Sequence, residues 1–355
     1  MKTLTITLHD TDNCGSSLQS FALQHFLLSQ GIDNELIDYV PSYTQNNGRA
    51  FKTFLRKVIF FKASRERKQK FADFKNRFLK LTRKKYTTYD ELKKGGLSAE
   101  VYITGSDQLW NSMYLCGQDP AFYLDFVKEA KKIGYAVSLG REDIPEDNLT
   151  IVQKYAHGFS WLSLRESCAI HQLKTILPNV TMDYVCDPVL LNEVQEYEPI
   201  KSDRLIKDKY ILVYLAQKYD KKSLDKVVAH IKGNKGVKVV FIGTYLNRCT
   251  CDIHIRDVAP GDFLSLIANA EYIISNSFHA TVFSIMYNKQ FIAVMPPENS
   301  SRIKEVLAVA GIKGHEYSKD MKVPYISEGE YEEVNKRIAT FREKSRELLM
   351  NNLGK

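Results

Sequence analysis

Leu4-Thr5-Ile6-Thr7-Leu8, then Asn13-Cys14-Gly15-Ser16-Ser17, then Asn34-Glu35-Leu36-Ile37-Asp38-Tyr39 are the segments whose order decides the fold. The first and third read as short strands, the first around β-branched Thr5, Ile6 and Thr7, the third around Leu36, Ile37 and Tyr39. Between them a polar turn caps a run in which Leu18, Phe21, Ala22, His25, Phe26 and Leu28 recur at helical spacing, and Gly31 ends it. Pro41 closes the second strand. Strand, helix and strand in that order imply a mostly parallel sheet.

The alternation continues outward. Val101–Thr104 runs into Gly105-Ser106-Asp107-Gln108-Leu109-Trp110-Asn111, and Lys132–Val137 into Ser138-Leu139-Gly140. Trp161–Leu164 leads to Arg165-Glu166-Ser167, and Thr181–Val185 to Cys186-Asp187-Pro188. In open α/β sheets ligands sit outside the carboxyl ends of the strands, where these small and charged groups fall. The polar stretch 192–209 reads as a linker. Beyond it strands are expected at Tyr210–Ala216, Val237–Ile242, Tyr272–Ser275 and Phe291–Val294. Helices are expected at Lys221–Lys232, Phe263–Asn269, Phe278–Tyr287, Arg302–Ala310 and Glu330–Met350.

The length, 355 residues, suits two domains, and 44% hydrophobic residues supply two cores. The chain has no apolar run of about 18 residues and no apolar block near Met1, so no membrane span or signal peptide is expected and the location expected is the cytoplasm. The six cysteines are expected to be reduced thiols. Cys249, Cys251 and His254 fit no common zinc spacing, so no metal is expected.

The net charge of +8 is local in origin. Arg49 to Tyr86 carries 15 Lys/Arg against Glu66 and Asp73, a net of +13 that leaves −5 for the remainder. Phe51, Phe54, Leu55 and Val58 share one helical face, and so do Phe71, Phe74, Phe78 and Leu81, with Ser64 as a cap. Such a segment either lies on an anionic membrane surface with its apolar face inserted, or is a solvated helical pair packed on its own lobe. It lacks base-reading motifs, so nucleic acid is not an expected partner.

Two turns carry chemistry. In Ile273-Ile274-Ser275-Asn276-Ser277-Phe278-His279-Ala280 a buried strand gives way to a helix whose first N–H groups suit an anion. His279 is a candidate general acid or base there; the alternative is a capped helix with a structural histidine. In Gly105–Asn111, Gly105 permits a tight turn, most of the residues that follow hydrogen-bond, and the flat face of Trp110 suits a sugar; the alternative is a helix cap with a core tryptophan. Arg165 is read either as a bidentate grip on carboxylate or phosphate, or as a surface pair with Glu166. Arg302 either faces the cleft or is a solvated arginine.

In several of these motifs the chain resembles the polysaccharide pyruvyl transferases. They are Asn13-x-Gly15 with Leu18-Gln19, Gly105–Asn111, Tyr135-Ala136-Val137-Ser138, Arg165-Glu166-Ser167, Asp187-Pro188 and Asn276-Ser277-Phe278-His279-Ala280. The resemblance implies two Rossmann-like lobes with a central cleft, in the manner of GT-B glycosyltransferases. It also implies transfer of a pyruvyl group from phosphoenolpyruvate to two hydroxyls of a sugar, giving a cyclic ketal without metal or cofactor. His279 and Arg165 match the family's histidine and arginine. Ser277 stands where well-studied members carry an arginine, and Arg302 is the candidate to replace that charge. On this reading His279 and Asp107 are catalytic, and Arg165, Ser275, Asn276, Ser277 and Arg302 bind the donor. Asn13, Gly15, Ser106, Gln108, Trp110 and Asn111 bind the acceptor.

The expected organisation is an acceptor-side lobe over 1–191 with the basic insertion 49–86, the linker 192–209, a donor-side lobe over 210–328 and a terminal helix over 329–355. The acceptor expected is a sugar on a lipid-linked oligosaccharide of capsule or exopolysaccharide assembly in a bacterium, reached through peripheral contact at the inner face of the plasma membrane. A nucleotide-sugar glycosyltransferase shares the fold, and a non-catalytic glycan-binding protein of capsule assembly shares the sugar site; fold alone does not separate them.

Overall fold

The structure is a computed structural model and describes residues 1–45, 61–233, 236–244, 249–295, 300–318 and 322–355. The chain forms two compact units. One comprises Met1–Ala50, Lys75–Asn192 and Thr340–Lys355; the other comprises Phe51–Phe74 and Glu193–Ala339.

The first unit is built on seven strands: β1 Lys2–Ile6, β2 Asp33–Tyr39, β3 Leu81–Tyr86, β4 Val101–Thr104, β5 Lys131–Val137, β6 Phe159–Leu164 and β7 Thr181–Tyr184. Their order is β3-β2-β1-β4-β5-β6-β7, and every pairing is parallel. From β1 the chain crosses through helix Cys14–Ser29 to β2 on one side, while β4 lies on the other. The order in which the chain adds strands therefore reverses between β1 and β4, where such sheets place ligands. Leu4, Ile6, Ile37, Leu109, Trp110, Val137 and Leu164 belong to its buried core. Burying each such large side chain contributes about 1.5–3 kcal/mol.

The second unit holds five parallel strands: β8 Tyr210–Tyr214, β9 Lys238–Ile242, β10 Ile253–Ile255, β11 Tyr272–Ser275 and β12 Phe291–Ala293. Their order is β10-β9-β8-β11-β12. Ile211, Val213, Leu224, Phe241, Ile274 and Ile292 form its core. Residues 193–209 belong to this unit: Tyr197 and Ile200 are buried, and the Ser202 N–H donates to the Gly261 carbonyl at 3.1 Å.

The expected strands and helices recur with ends shifted by a few residues. The basic segment differs more. Helix Phe61–Phe78 stops short of Leu81, which opens β3, and Ser64 lies inside the helix rather than capping it. Phe51, Phe54, Leu55 and Val58 lie outside the described residues. Strand β3 is a sheet edge, and the exposed Arg83, Lys84 and Lys85 on it discourage pairing with another chain.

Phe71 and Phe74 are buried within the protein, so this face of the helix is not offered to a membrane. Several cations of the segment meet carboxylates of their own unit. Lys70 bonds Asp257 at 2.7 Å and Asp262 at 2.9 Å; Lys75 bonds Asp10 at 2.9 Å. Arg65, Lys68, Arg77, Arg83 and Lys84 are exposed. Among the described residues no helix is long and apolar enough to cross a membrane.

Candidate active site

In the first unit the strand ends converge on one buried charge cluster. Asn13 starts the helix after β1: its Oδ1 accepts the N–H of Gly15 at 2.9 Å and of Ser16 at 3.4 Å. Ser16 then donates to Asp107 Oδ2 at 2.5 Å, joining the helix start to the turn after β4. Asp107 adopts φ +81°, a left-handed conformation that strains any residue with a Cβ. Its Oδ1 accepts the Gln108 N–H at 2.8 Å, and a parallel bridge to Val137 extends the sheet. The turn is thus over-determined, and it aims one carboxylate at the β1/β4 switch.

Behind that turn lies Arg165, buried, with Nη1 paired to Asp187. Burial opposes its charge, yet the carboxylates of Asp187, Glu166 and Asp107 hold its pKa above the ordinary guanidinium value. Glu166 is also buried and accepts from Ser138 Oγ at 2.5 Å. Three carboxyl groups thus gather around one buried guanidinium. The expected surface pair of Arg165 with Glu166 is therefore corrected, because both side chains are inside the protein. One arm of the guanidinium, Nη1, is taken up by Asp187.

The expected sugar contact of Trp110 is also corrected. The indole is fully buried, stacked on Tyr123 with ring centroids 4.7 Å apart, and its Nε1 donates to the Phe122 carbonyl at 2.9 Å. Ser106 and Asn111 are likewise buried. Ser106 Oγ reaches Asp187 Oδ2 at 3.4 Å, and Asn111 Nδ2 donates to Gln108 Oε1 at 2.7 Å. Gly140 is fixed at φ +75°, where a Cβ would stand 2.3 Å from Gln108 Oε1. These residues build the turn, in which Asp107 and Gln108 are half-buried. Asp187, Ser16 and Ser138 complete the cluster. Sequence reading gave them no site role, although each lies at a strand end or helix start where such groups gather.

In the second unit the corresponding turn follows β11. Ser275 Oγ donates to the Tyr214 carbonyl at 2.6 Å and accepts the Ser277 N–H at 3.0 Å. Asn276 Oδ1 accepts the N–H groups of Ala216 at 2.8 Å and Gln217 at 3.2 Å, which ties down the loop after β8. Ser277 caps helix Phe278–Met286 through the Ala280 N–H at 3.4 Å. These side chains shape the turn, so anion binding here would fall to the helix start and its neighbours. His279 is 8% exposed in the first turn.

Arg302, expected as a cleft or solvated arginine, is 8% exposed, with its guanidinium 5.7 Å from the Phe278 ring centroid. The cation stands beside the residue that follows Ser277. Ser301 Oγ, at the start of the same helix, is buried and has no hydrogen-bond partner among the described residues. No group of His, Cys, Asp and Glu among the described residues is placed to hold a metal; His254 Nε2 instead bonds the Gly243 carbonyl at 2.8 Å.

Two parallel α/β units with chemistry at their strand ends define a GT-B-type fold, and solved structures agree. A protein of Listeria monocytogenes described as a UDP-N-acetylglucosamine 2-epimerase aligns with TM-score 0.55 at 9% identity, over 98% of this chain and 89% of that one. The UDP-GlcNAc 2-epimerase of Methanocaldococcus jannaschii, in complex with UDP-GlcNAc and UDP, aligns with TM-score 0.53 at 15% identity, over 98% and 94%. That of Neisseria meningitidis, bound to UDP-GlcNAc, gives 0.50 at 12%, over 99% of each chain. At these identities the likeness is one of fold. No curated protein matches by sequence. The family model of the polysaccharide pyruvyl transferases matches residues 13–297, and the chain belongs to that family.

Proposed function

We propose that the protein transfers a pyruvyl group from phosphoenolpyruvate to two hydroxyls of one sugar in a lipid-linked polysaccharide precursor, forming a cyclic ketal. The family match over residues 13–297 carries the reading. The donor's charges are assigned to the helix start at Phe278, to Arg302 and to the buried hydroxyl of Ser301. Protonation of the donor's methylene carbon makes its C2 electrophilic. One sugar hydroxyl adds at C2, the C2–O bond to phosphate breaks, and the second hydroxyl closes the ring. Of the two hydroxyl protons, one balances the new methyl group and the other leaves with phosphate. His279 serves as general acid or base, Asp107 orients or deprotonates the acceptor, and Arg165 holds the carboxylates around Asp107 in place. The scheme calls for no metal and no nucleotide.

A lipid-linked acceptor is supported by the exposed cations of the basic segment. Co-sedimentation with anionic vesicles should fall when Arg65, Lys68 and Arg77 are changed together to Gln; unchanged binding removes the membrane element.

The reaction is tested by incubating enzyme, phosphoenolpyruvate and lipid-linked oligosaccharide. Phosphate release with a mass gain of one pyruvyl ketal is the expected result. Nucleotide release from a UDP-sugar instead makes the protein a glycosyltransferase, and acceptor binding without turnover of either donor makes it a glycan-binding protein. His279→Ala should lower turnover by about 10²–10⁴-fold while phosphoenolpyruvate still binds. Wild-type rates in that variant remove His279 from the reaction.

A further inference from the structure

The turn after β4 continues into a second feature that none of these roles uses. Gly117 packs so closely on Asn111 that a Cβ would stand 2.1 Å from its carbonyl oxygen. The Tyr114 N–H donates to the same carbonyl at 3.0 Å. Residues 115–119 are therefore held to the Asp107 turn, and they form one wall of a cavity of about 340 Å³. That volume lies at the small end of ligand pockets. The opposite walls come from the ends of β2 and β3, so the cavity lies on the same carboxyl edge of the sheet as Asp107.

The chemistry of the lining is specific. Tyr39 and Tyr43 both donate to Asp119 Oδ2 at 2.6 Å, while Asp119 Oδ1 accepts the Ala121 N–H at 2.9 Å. Tyr89, also in the wall, donates to Asp125. Burial, and then the neighbouring carboxylate, push the phenol pKa values of Tyr39 and Tyr43 far up, so both stay protonated. Tyr39 is buried, whereas the half-buried Tyr43, its proton directed to Asp119, can offer the lone pairs of its phenol oxygen to a ligand that donates hydrogen bonds. Leu115 adds an exposed apolar contact. The described lining includes no lysine or arginine, and its charged member is Asp119. A phosphate or carboxylate ligand is disfavoured on those grounds, whereas a hydroxyl-rich ring with apolar faces is matched by aromatic walls and oriented acceptors.

We infer that the cavity bounded by Tyr39, Tyr43, Tyr89 and Asp119 is a carbohydrate subsite for a sugar ring of the acceptor. As an acceptor subsite it rests on the pyruvyl-transfer reading; as a sugar site it stands on its lining alone.

The test varies Tyr43, which is half-buried on a short four-residue helix, Ser42–Gln45. Tyr43→Phe removes one oriented hydroxyl and Tyr43→Ala the whole wall. In the pyruvyl-transfer assay, Tyr43→Phe should raise the acceptor KM about tenfold and Tyr43→Ala further, with the KM for phosphoenolpyruvate unchanged. That unchanged value also reports a folded variant. Independently of turnover, saturation-transfer NMR with methyl glycosides of hexoses and N-acetylhexosamines should show binding to the wild type that Tyr43→Ala abolishes. An unchanged acceptor KM in Tyr43→Ala leaves pyruvyl transfer standing and overturns the subsite. Glycoside binding lost in Tyr43→Ala, in a protein that turns over no phosphoenolpyruvate, leaves a sugar site and overturns pyruvyl transfer. Glycoside signals absent from the wild type, or equal in both proteins, overturn the inference.

Discussion

The two units carry opposite kinds of strand-end site. In the first, the turn after β4 is tied to a buried ion pair: Arg165 pairs with Asp187 and lies near Asp107 and Glu166, which Ser16 and Ser138 pin in turn. In the second, the turn after β11 is held by neutral hydrogen bonds between backbone groups and the side chains of Ser275, which donates, and Asn276 and Ser277, which accept. Its charge comes from Arg302, on another helix of the same unit. The difference teaches which contacts are costly to break. A buried guanidinium and its carboxylates depend on each other, because each is stable inside only while the other compensates it. A capped helix start loses one bond at a time.

The contrast predicts a steep order of effects. Arg165→Met removes the buried partner of Asp187 and should cost about 3–5 kcal/mol, read from the urea midpoint. A loss below 1 kcal/mol would show that water or protons reach the cluster and would erase the contrast. Ser277→Ala, which removes a neutral cap in the second unit, should cost about 1 kcal/mol by the same measurement. A loss as large as that of Arg165→Met would break the comparison from the other side.

The smallest effect belongs to a pair of one buried and one partly buried side chain in the first unit. Asp38 bonds His9 Nε2 at 3.1 Å. Burial raises its pKa, but the hydrogen bond and charge of His9, with the charges of Lys85 and Lys75, together hold it below the usual carboxylate value. A depressed folded pKa means stability that is present above the unfolded value, about 3.9, and lost as pH falls through the folded one. Asp38→Asn should therefore be less stable than wild type at pH 6, with the gap closing towards pH 3 (~ two measurements of the urea midpoint). A gap that widens on acidification would reverse the sign assigned to the pair.

Much of the fold was legible in the sequence. Val101–Thr104 and Tyr272–Ser275 are apolar strands between polar turns, and both lie where periodicity puts them. The edge strand Leu81–Tyr86 was not legible, because Arg83, Lys84 and Lys85 read as the cationic face of a helix. At a sheet edge those charges are protective, and only the pairing with β2 shows them to be strand. At the site, residue types were legible and directions were not. Trp110 follows a strand end whether its ring faces a sugar or the core, and packing on Tyr123 decides for the core. Tyr39, Tyr43 and Asp119 are separated by up to 80 residues in the chain, so no local pattern announces that two phenols share one carboxylate.

The sequence by itself determined the alternation of strand and helix, the motifs at the strand ends and the absence of an arginine at Ser277, because each is a matter of residue type and spacing along the chain. Only the tertiary structure decided that Arg165 turns inward to Asp187, that Arg302 comes to lie beside Phe278, and that Trp110 is core. Direction and partnership are set by which strands pair and which side chains are shut away from water, and neither is written in the order of residues.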